Sequence, residues 1–216
     1  SYSVTGVQTC ALPISQKRNP QRVNIYLDGE FAFGLSSIVA GWLQVGQKLS
    51  EQKIDELRQK DGNEVAFQSA LKLLNYRSRT KKEISQKLIE KGYSNAQIQD
   101  VIDRLENSGL VEDARYAQMW VENRNEFHPR SQRLMQLEMK QKGIDDEVIE
   151  SALGGSVDDS ELALRAAKKQ LRKYEHLEWP VFRQKLSAFL ARRGFTYGTI
   201  APVVRSIWES MKNDPT

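Results

Sequence analysis

The sequence predicts a mainly α fold: tandem three-helix, helix-turn-helix-like repeats in an elongated array, preceded by a small N-terminal β-hairpin and helix module. Three observations predict it. Basic-Gly-apolar triplets recur as Lys91-Gly92-Tyr93, Lys142-Gly143-Ile144 and Arg193-Gly194-Phe195, and 143 − 92 and 194 − 143 both equal 51 residues. Apolar residues stand in register with those glycines: Ile84, Met135 and Leu186 eight before, Leu88, Met139 and Leu190 four before, Ile98, Ile149 and Ile200 six after. Four aligned columns at one period mark an internal repeat, present three times. Ahead of the repeats, Val23, Ile25 and Leu27 alternate up to Asp28-Gly29, and Phe31, Phe33 and Leu35 alternate after it, the pattern of two strands joined by a tight turn.

The elements follow in chain order. Residues 1–16 carry no charge, yet they have no basic leader, and Thr5, Gln8 and Thr9 interrupt the apolar run, so they do not read as a signal peptide. Residues 1–15 are read as a cloning or assembly scar outside the fold, and 1–20 as a disordered or non-native leader. The hairpin opens an α+β module over 21–63. A lone hairpin is marginal in water and needs a helix or a third strand to cover it. Ser36 can cap a helix through Ile38, Val39 and Trp42, Ser50 another through Ile54 and Leu57, and Asp61-Gly62-Asn63 reads as a turn and module boundary.

The first repeat spans 64–110. Ala66, Ala70, Leu73 and Leu74 give its first helix an apolar face, and Arg77-Ser78-Arg79 ends it. Thr80 with Glu83 and Ser94 with Gln97 have capping-box spacing, and Gly92 and Gly109 close the two helices that those caps open. The second repeat spans 111–155, with Asp113 as N-cap, a break at His128-Pro129, Leu134, Met135, Leu137 and Met139 in its middle helix, and Asp145 capping its third. Gly154 to Ser160 is the linker to the third repeat, 156–216. There Leu164, Ala167, Leu171 and Tyr174 share a helix face, Pro180 suits position N1, Thr196 caps the last helix, and residues 213–216 fray. Bundles of this size sit near the lower limit for independent folding, so neighbouring repeats are expected to pack together or share helices.

Composition narrows the function. The net charge of +4 is mildly basic and compatible with nucleic acid or an acidic protein surface. Cys10 is the single cysteine, which allows neither a disulfide framework nor a zinc set and suits a reducing compartment. No apolar run reaches the length of a membrane span. Gly154-Gly155 lacks the preceding strand and following lysine of a phosphate loop, and His128 and His176 have no partner at ligand spacing. Asp158-Asp159 reads as a helix cap rather than a catalytic pair, and Trp42, Trp120, Trp179 and Trp208 as core residues rather than a stacking platform. No metal and no cofactor is implied, and no enzyme.

The cations carry the sharper signal. Arg77, Arg79, Lys81 and Lys82 crowd one helix junction. Arg165, Lys169 and Arg172 fall at i, i+4 and i+7 and, on one helix, would point together. Like charges so close repel, and a partner phosphate or carboxylate would relieve them; the alternative is a solvated face.

The stretch Ala70 to Leu153 resembles the RecX family of RecA regulators. The matching pattern is an Arg-x-Arg junction at Arg77-Ser78-Arg79, a Lys-Gly stop at Lys91-Gly92, and Gly109-Leu110-Val111-Glu112-Asp113-Ala114-Arg115-Tyr116-Ala117, with Arg124, Arg133 and Lys142-Gly143 in place. Phe127-His128-Pro129 departs from it, standing where a basic-Gly element is usual, and the module at 21–60 is similar to the N-terminal extension of longer members. The resemblance implies a non-catalytic cytoplasmic modulator, an inhibitor acting as a monomer. It would bind the RecA–DNA filament and damp ATP hydrolysis, strand exchange and co-protease activity. By signature position it implies Arg77, Arg79, Arg115, Tyr116, Arg124 and Arg133 as contacts, and the basic clusters add Lys81, Lys82, Arg165, Lys169 and Arg172. The competing reading is a stand-alone, sequence-nonspecific DNA-binding module holding single- or double-stranded DNA through its phosphates.

Overall fold

The computed structural model describes residues 9–213, so residues 1–8 of the leader and residues 214–216 of the segment expected to fray lie outside the described residues, while Asn213 ends a helix. Two compact units result: residues up to Ser78 with Ile84–Leu110, and Arg79–Glu83 with the residues from Val111 on.

In the first unit, strands β1 (Thr9–Ser15), β2 (Arg22–Leu27), β3 (Glu30–Ser36) and β4 (Gln47–Leu49) form an antiparallel sheet in the order β3-β2-β1-β4. The predicted hairpin turn is there, with Asp28 and Gly29 both at positive φ. Beyond it the expected alternation fails at Phe31. The ladder shifts between Ile25 and Tyr26, so Ile25 faces Phe33 while Tyr26 faces Phe31, and Ala32 is the extra residue of a bulge. One added residue reverses the parity of the strand. Phe33 and Leu35 are therefore buried, whereas Phe31 is exposed and packs edge-on against Tyr26.

Residues 9–15 correct the reading that placed 1–15 outside the fold. Strand β1 lies between two partners, pairing with β2 from Ala11 to Ser15 and with β4 from Thr9 to Ala11. Of Ala11, Leu12 and Ile14 only Ala11 is buried. Backbone bonds rather than side-chain burial hold the strand, which is why no apolar alternation betrays it. Pro13 is tolerated because β4 no longer runs alongside at that position.

Helix α1 (Ser37–Ala40) is capped by Ser36 as expected, but Trp42, expected in the core, is 89% exposed. Helix α2 (Glu51–Tyr76), capped by Ser50, runs straight through Asp61-Gly62-Asn63. The expected turn and boundary are absent because these residues serve contacts. The buried Asp61 carboxylate pairs with Arg22 at 3.0 Å and accepts the Ser36 N–H at 2.5 Å. A Cβ at Gly62 would come within 2.8 Å of the Gln97 amide, so helix α4 passes close there. The N-terminal module and the first repeat thus share one helix. Helices α3 (Lys81–Glu90) and α4 (Asn95–Asn107) complete that repeat around Ala66, Ala70, Ile84, Leu88, Val101 and Leu105, and Ser94 and Gln97 form the full capping box.

The second unit holds α5 (Asp113–Phe127), α6 (Gln132–Gln141), α7 (Asp146–Gly154), α8 (Asp159–Lys168), α9 (Leu171–Tyr174), α10 (Trp179–Arg192) and α11 (Tyr197–Asn213). The second and third repeats share one core, in which Met135, Met139 and Ile149 join Leu162, Phe182, Leu186 and Leu190. Glu112, not Asp113, is the N-cap of α5, and Asp113 instead receives the backbone N–H of Lys81 at 3.1 Å. The first helix expected in the third repeat is two, because the chain breaks at Lys169-Gln170.

A single joint is built twice in this unit. Thr80 caps the first turn of α3 and donates its hydroxyl to the Lys142 carbonyl at 2.7 Å, while Asp113 takes the Lys81 N–H. One period later, Ser131 caps α6, its N–H donates to the Arg193 carbonyl at 3.0 Å, and Asp159 takes the Gln132 N–H at 2.8 Å. A Cβ at Gly194 would lie 2.5 Å from Ser131 Oγ and 2.7 Å from Leu134 Cβ, whereas one at Gly92 would meet nothing within 4 Å. Both glycines have positive φ. Gly92→Ala should therefore cost about 1 kcal/mol of backbone strain, and Gly194→Ala about 3 kcal/mol because overpacking is added. Urea unfolding followed by circular dichroism checks the difference.

Candidate functional site

The densest charge constellation of the second unit gathers on Glu138, in the middle of α6. Its carboxylate accepts the Trp120 indole N–H at 3.0 Å and the Arg124 Nε–H at 3.1 Å, and it pairs with Arg130. Arg124 lies over the Trp120 ring, 4.2 Å from its centroid, and Trp120 stacks on Tyr116. Arg193 donates to the Pro129 carbonyl at 3.0 Å and stacks over Phe189. Burial lowers the pKa of Arg124, Arg130 and Arg193. Mutual repulsion adds to this, since Arg130 feels Arg124 and Arg193, and Arg193 feels Arg124. Two guanidiniums here share the single carboxylate of Glu138, and Arg193, bonded to the neutral Pro129 carbonyl, adds a third positive charge beside them, which leaves charge that an external carboxylate or phosphate could neutralise.

On the neighbouring edge Lys142 pairs with Glu83 at 2.8 Å and sits over the Trp120 and Tyr116 rings. Burial pulls its pKa down, but Glu83 and Tyr116 outweigh this and the net shift is upward.

The residues singled out from the sequence divide by orientation. Tyr116 and Arg124 belong to the constellation and face inward. Lys81 and Lys82 serve the joint: Lys81 through its backbone, Lys82 by crossing Gly143 and reaching the Gln141 carbonyl at 3.3 Å. Lys169 donates to the Glu126 and Phe127 carbonyls and so closes the C-terminal end of α5. Arg165 pairs with Glu161 at 2.5 Å. With the helix broken at Gln170, Arg165, Lys169 and Arg172 do not share the single face expected of them. Arg77 reaches the Ser78 carbonyl, and Arg79 is half-buried. Arg115, Arg133 and Arg172 are exposed. Sequence reasoning missed Glu138, Arg130 and Arg193 as members of a site. Arg130 precedes the Ser131 cap and lies outside α6, so no helical periodicity ties it to Glu138.

Among the described residues no group of three or more His, Cys, Asp or Glu side chains is placed to hold a metal ion, and no helix is long and apolar enough to cross a membrane.

Family models match most of the chain. Those described as the first, second and third three-helix domains of RecX match residues 66–105, 113–153 and 158–204, and the regulatory protein RecX N-terminal domain matches 14–50. The regulatory protein RecX of Bacillus licheniformis is 32% identical over 195 residues, which span 88% of this chain and 74% of that protein. The chain belongs to the RecX family. The regulatory protein RecX of Bacillus subtilis is 30% identical over 89% of this chain and 75% of its own length. A crystal structure of regulatory protein RecX superposes with a TM-score of 0.71 at 26% identity, covering 96% of this chain and all of that one. The structure of RecX from Lactobacillus salivarius gives 0.58 at 27% identity, covering 68% of this chain and 97% of that one. The expected family and the mainly helical, three-repeat fold with a small strand module are thereby established. The N-terminal match begins at residue 14, within β1.

Glu138→Ala should cost about 2 kcal/mol, because it leaves partly buried guanidiniums without their carboxylate. Arg124→Ala should cost less, since Arg130 still holds the carboxylate. A double-mutant cycle on Glu83→Gln and Lys142→Met should give a coupling of about 1 kcal/mol at neutral pH. A lysine pKa raised on folding contributes its full stability below the ordinary lysine value and loses it as pH rises through the folded one. On the alkaline side the coupling should therefore persist from neutral pH and be lost above about pH 10.5, as read from urea midpoints across pH.

Proposed function

We propose that this RecX protein is a non-catalytic modulator of a RecA recombinase, acting in the cytoplasm as a monomer. It binds the RecA–DNA filament and damps ATP hydrolysis, strand exchange and co-protease activity. The observation that carries the reading is the excess of positive charge at Arg124, Arg130 and Arg193 around the one carboxylate of Glu138. Partly buried guanidiniums of this kind gain most when an anion on a partner completes their pairing. Exposed Arg115 and Arg133, on the first and middle helices of the same repeat, supply further contacts at the rim. A filament presents the same acidic surface on every protomer, so weak contacts from separate repeats act together.

The test is the single-stranded-DNA-dependent ATPase of RecA with the protein titrated in. Inhibition is expected, and an unchanged rate at saturating protein overturns the reading. Arg130→Gln with Arg193→Gln leaves the Arg124–Glu138 pair in place and removes the excess charge. That variant should require about tenfold more protein for the same inhibition. Equal potency would remove the cluster as the contact. Binding to naked DNA that is blind to sequence, falls steeply with salt and equals binding to the filament would favour the stand-alone DNA-binding alternative.

A further inference from the structure

The first unit contains a cleft that the charge constellation does not use. It encloses about 620 Å³, within the range of small-ligand and peptide sites. One wall is the turn and strand start at Gln16, Asn19, Gln21 and Arg22. Another is the head of α1 at Ser36, Ser37 and Ile38. The floor is the second half of α2 from Glu64 to Lys72. The charged residues of the lining are unequally committed. Arg22 is paired with Asp61 and donates to the Gly34 carbonyl, and Glu64 is paired with Arg104 and Gln68. Lys72 is exposed at the mouth, and the turn that lines the cleft through Gln16 and Asn19 carries exposed Lys17 and Arg18 between them. The uncommitted charge is therefore all positive.

The remaining lining is of two kinds. Gln21, Gln68 and Ser37 can both donate and accept hydrogen bonds. Ile38 and Val65 are exposed aliphatic side chains, 62% and 37% accessible. Groups that donate and accept match the alternating N–H and C=O of an extended peptide, whereas a phosphodiester could use only the donors. Strand binders of nucleic acid rely on aromatic platforms, and the lining holds no aromatic ring. An exposed aliphatic pair within such a cleft is the kind of surface that anchors one apolar side chain.

We infer that the cleft between the β1–β2 turn, the head of α1 and the second half of α2 binds an acidic, extended peptide segment carrying one apolar anchor residue. The anchor lies against Ile38 and Val65, and the acidic residues face Lys72 and the Lys17-Arg18 turn. This site is separate from the Glu138 constellation, and its test needs no recombinase, so the two readings fail independently.

The full chain is titrated into a fluorescein-labelled synthetic peptide of aspartate and glutamate with one central leucine, followed by anisotropy. Saturable binding is expected. Lys72→Glu and Ile38→Ser, both at exposed positions and checked by circular dichroism for an unchanged fold, should each weaken it about tenfold. Absence of binding overturns the proposal, as does binding unchanged in either variant. So does displacement of the peptide by oligothymidylate at lower concentration than by unlabelled peptide, which would make the cleft a nucleic-acid site.

Discussion

The structure depends on one interaction used repeatedly: an aspartate carboxylate capturing a backbone N–H at the start of a Ser- or Thr-capped helix. Asp61 takes the N–H of Ser36 in the first unit. In the second, Asp113 takes that of Lys81 and Asp159 that of Gln132. A helix start leaves four N–H groups without intrahelical partners and concentrates positive potential there. The hydroxyl of the cap satisfies one of these groups, and a carboxylate from a separate helix satisfies another while opposing the dipole. A charge-assisted hydrogen bond contributes roughly 1.5–3 kcal/mol, comparable to burying one large aliphatic side chain. For repeats too small to bury a core alone, that bond fixes which helix meets which.

The joint also explains the basic-Gly stop. Its carbonyl receives the capping residue, as Lys142 receives Thr80 and Arg193 receives Ser131. Its glycine turns the chain and leaves room for the capped helix. Its basic side chain reaches back, Lys142 to Glu83 and Arg193 to the Pro129 carbonyl. Gly92 keeps the turn without the close approach. The third repeat differs at its middle helix, where α10 begins early at Trp179, and Phe182 occupies the column held by Thr80 and Ser131. There Trp179, Phe182 and Trp208 pack into one aromatic group, with Trp208 5.3 Å and 5.1 Å from the other two.

The helical repeat was legible because a buried face imposes a period on the sequence. Ile84, Met135 and Leu186 are all fully buried, as are Leu88, Met139 and Leu190. What the sequence concealed falls into three physical kinds. Strand β1 is held by backbone ladders, which leave no side-chain pattern. Asp61-Gly62 has the composition of a turn, yet its residues serve an ion pair and a close helix approach inside α2, so tertiary contacts override local preference. Phe31 follows a bulge, and a bulge is set by the ladder rather than by residue type. The candidate site was half legible. Tyr116 and Arg124 were found by signature position, but charge counting cannot tell a cation that caps a helix, as Lys169 does, from one left over.

The cations of this fold divide by the partners they already have. A cation whose partner is already present in the chain contributes to stability, and removing it acts first on folding. Lys142, Lys169 and Arg165 are of this kind. The guanidiniums beside Glu138 are different, because Arg124 and Arg130 share its one carboxylate, Arg193 meets only a neutral carbonyl there, and their mutual repulsion is retained in the folded state. Folding holds that repulsion in place because the aromatic rings and the Pro129 carbonyl fix the geometry. An anion brought by a partner would relieve it at a geometry the fold already holds, which lowers the conformational cost of binding. A surface built this way suits an acidic partner while remaining part of the scaffold.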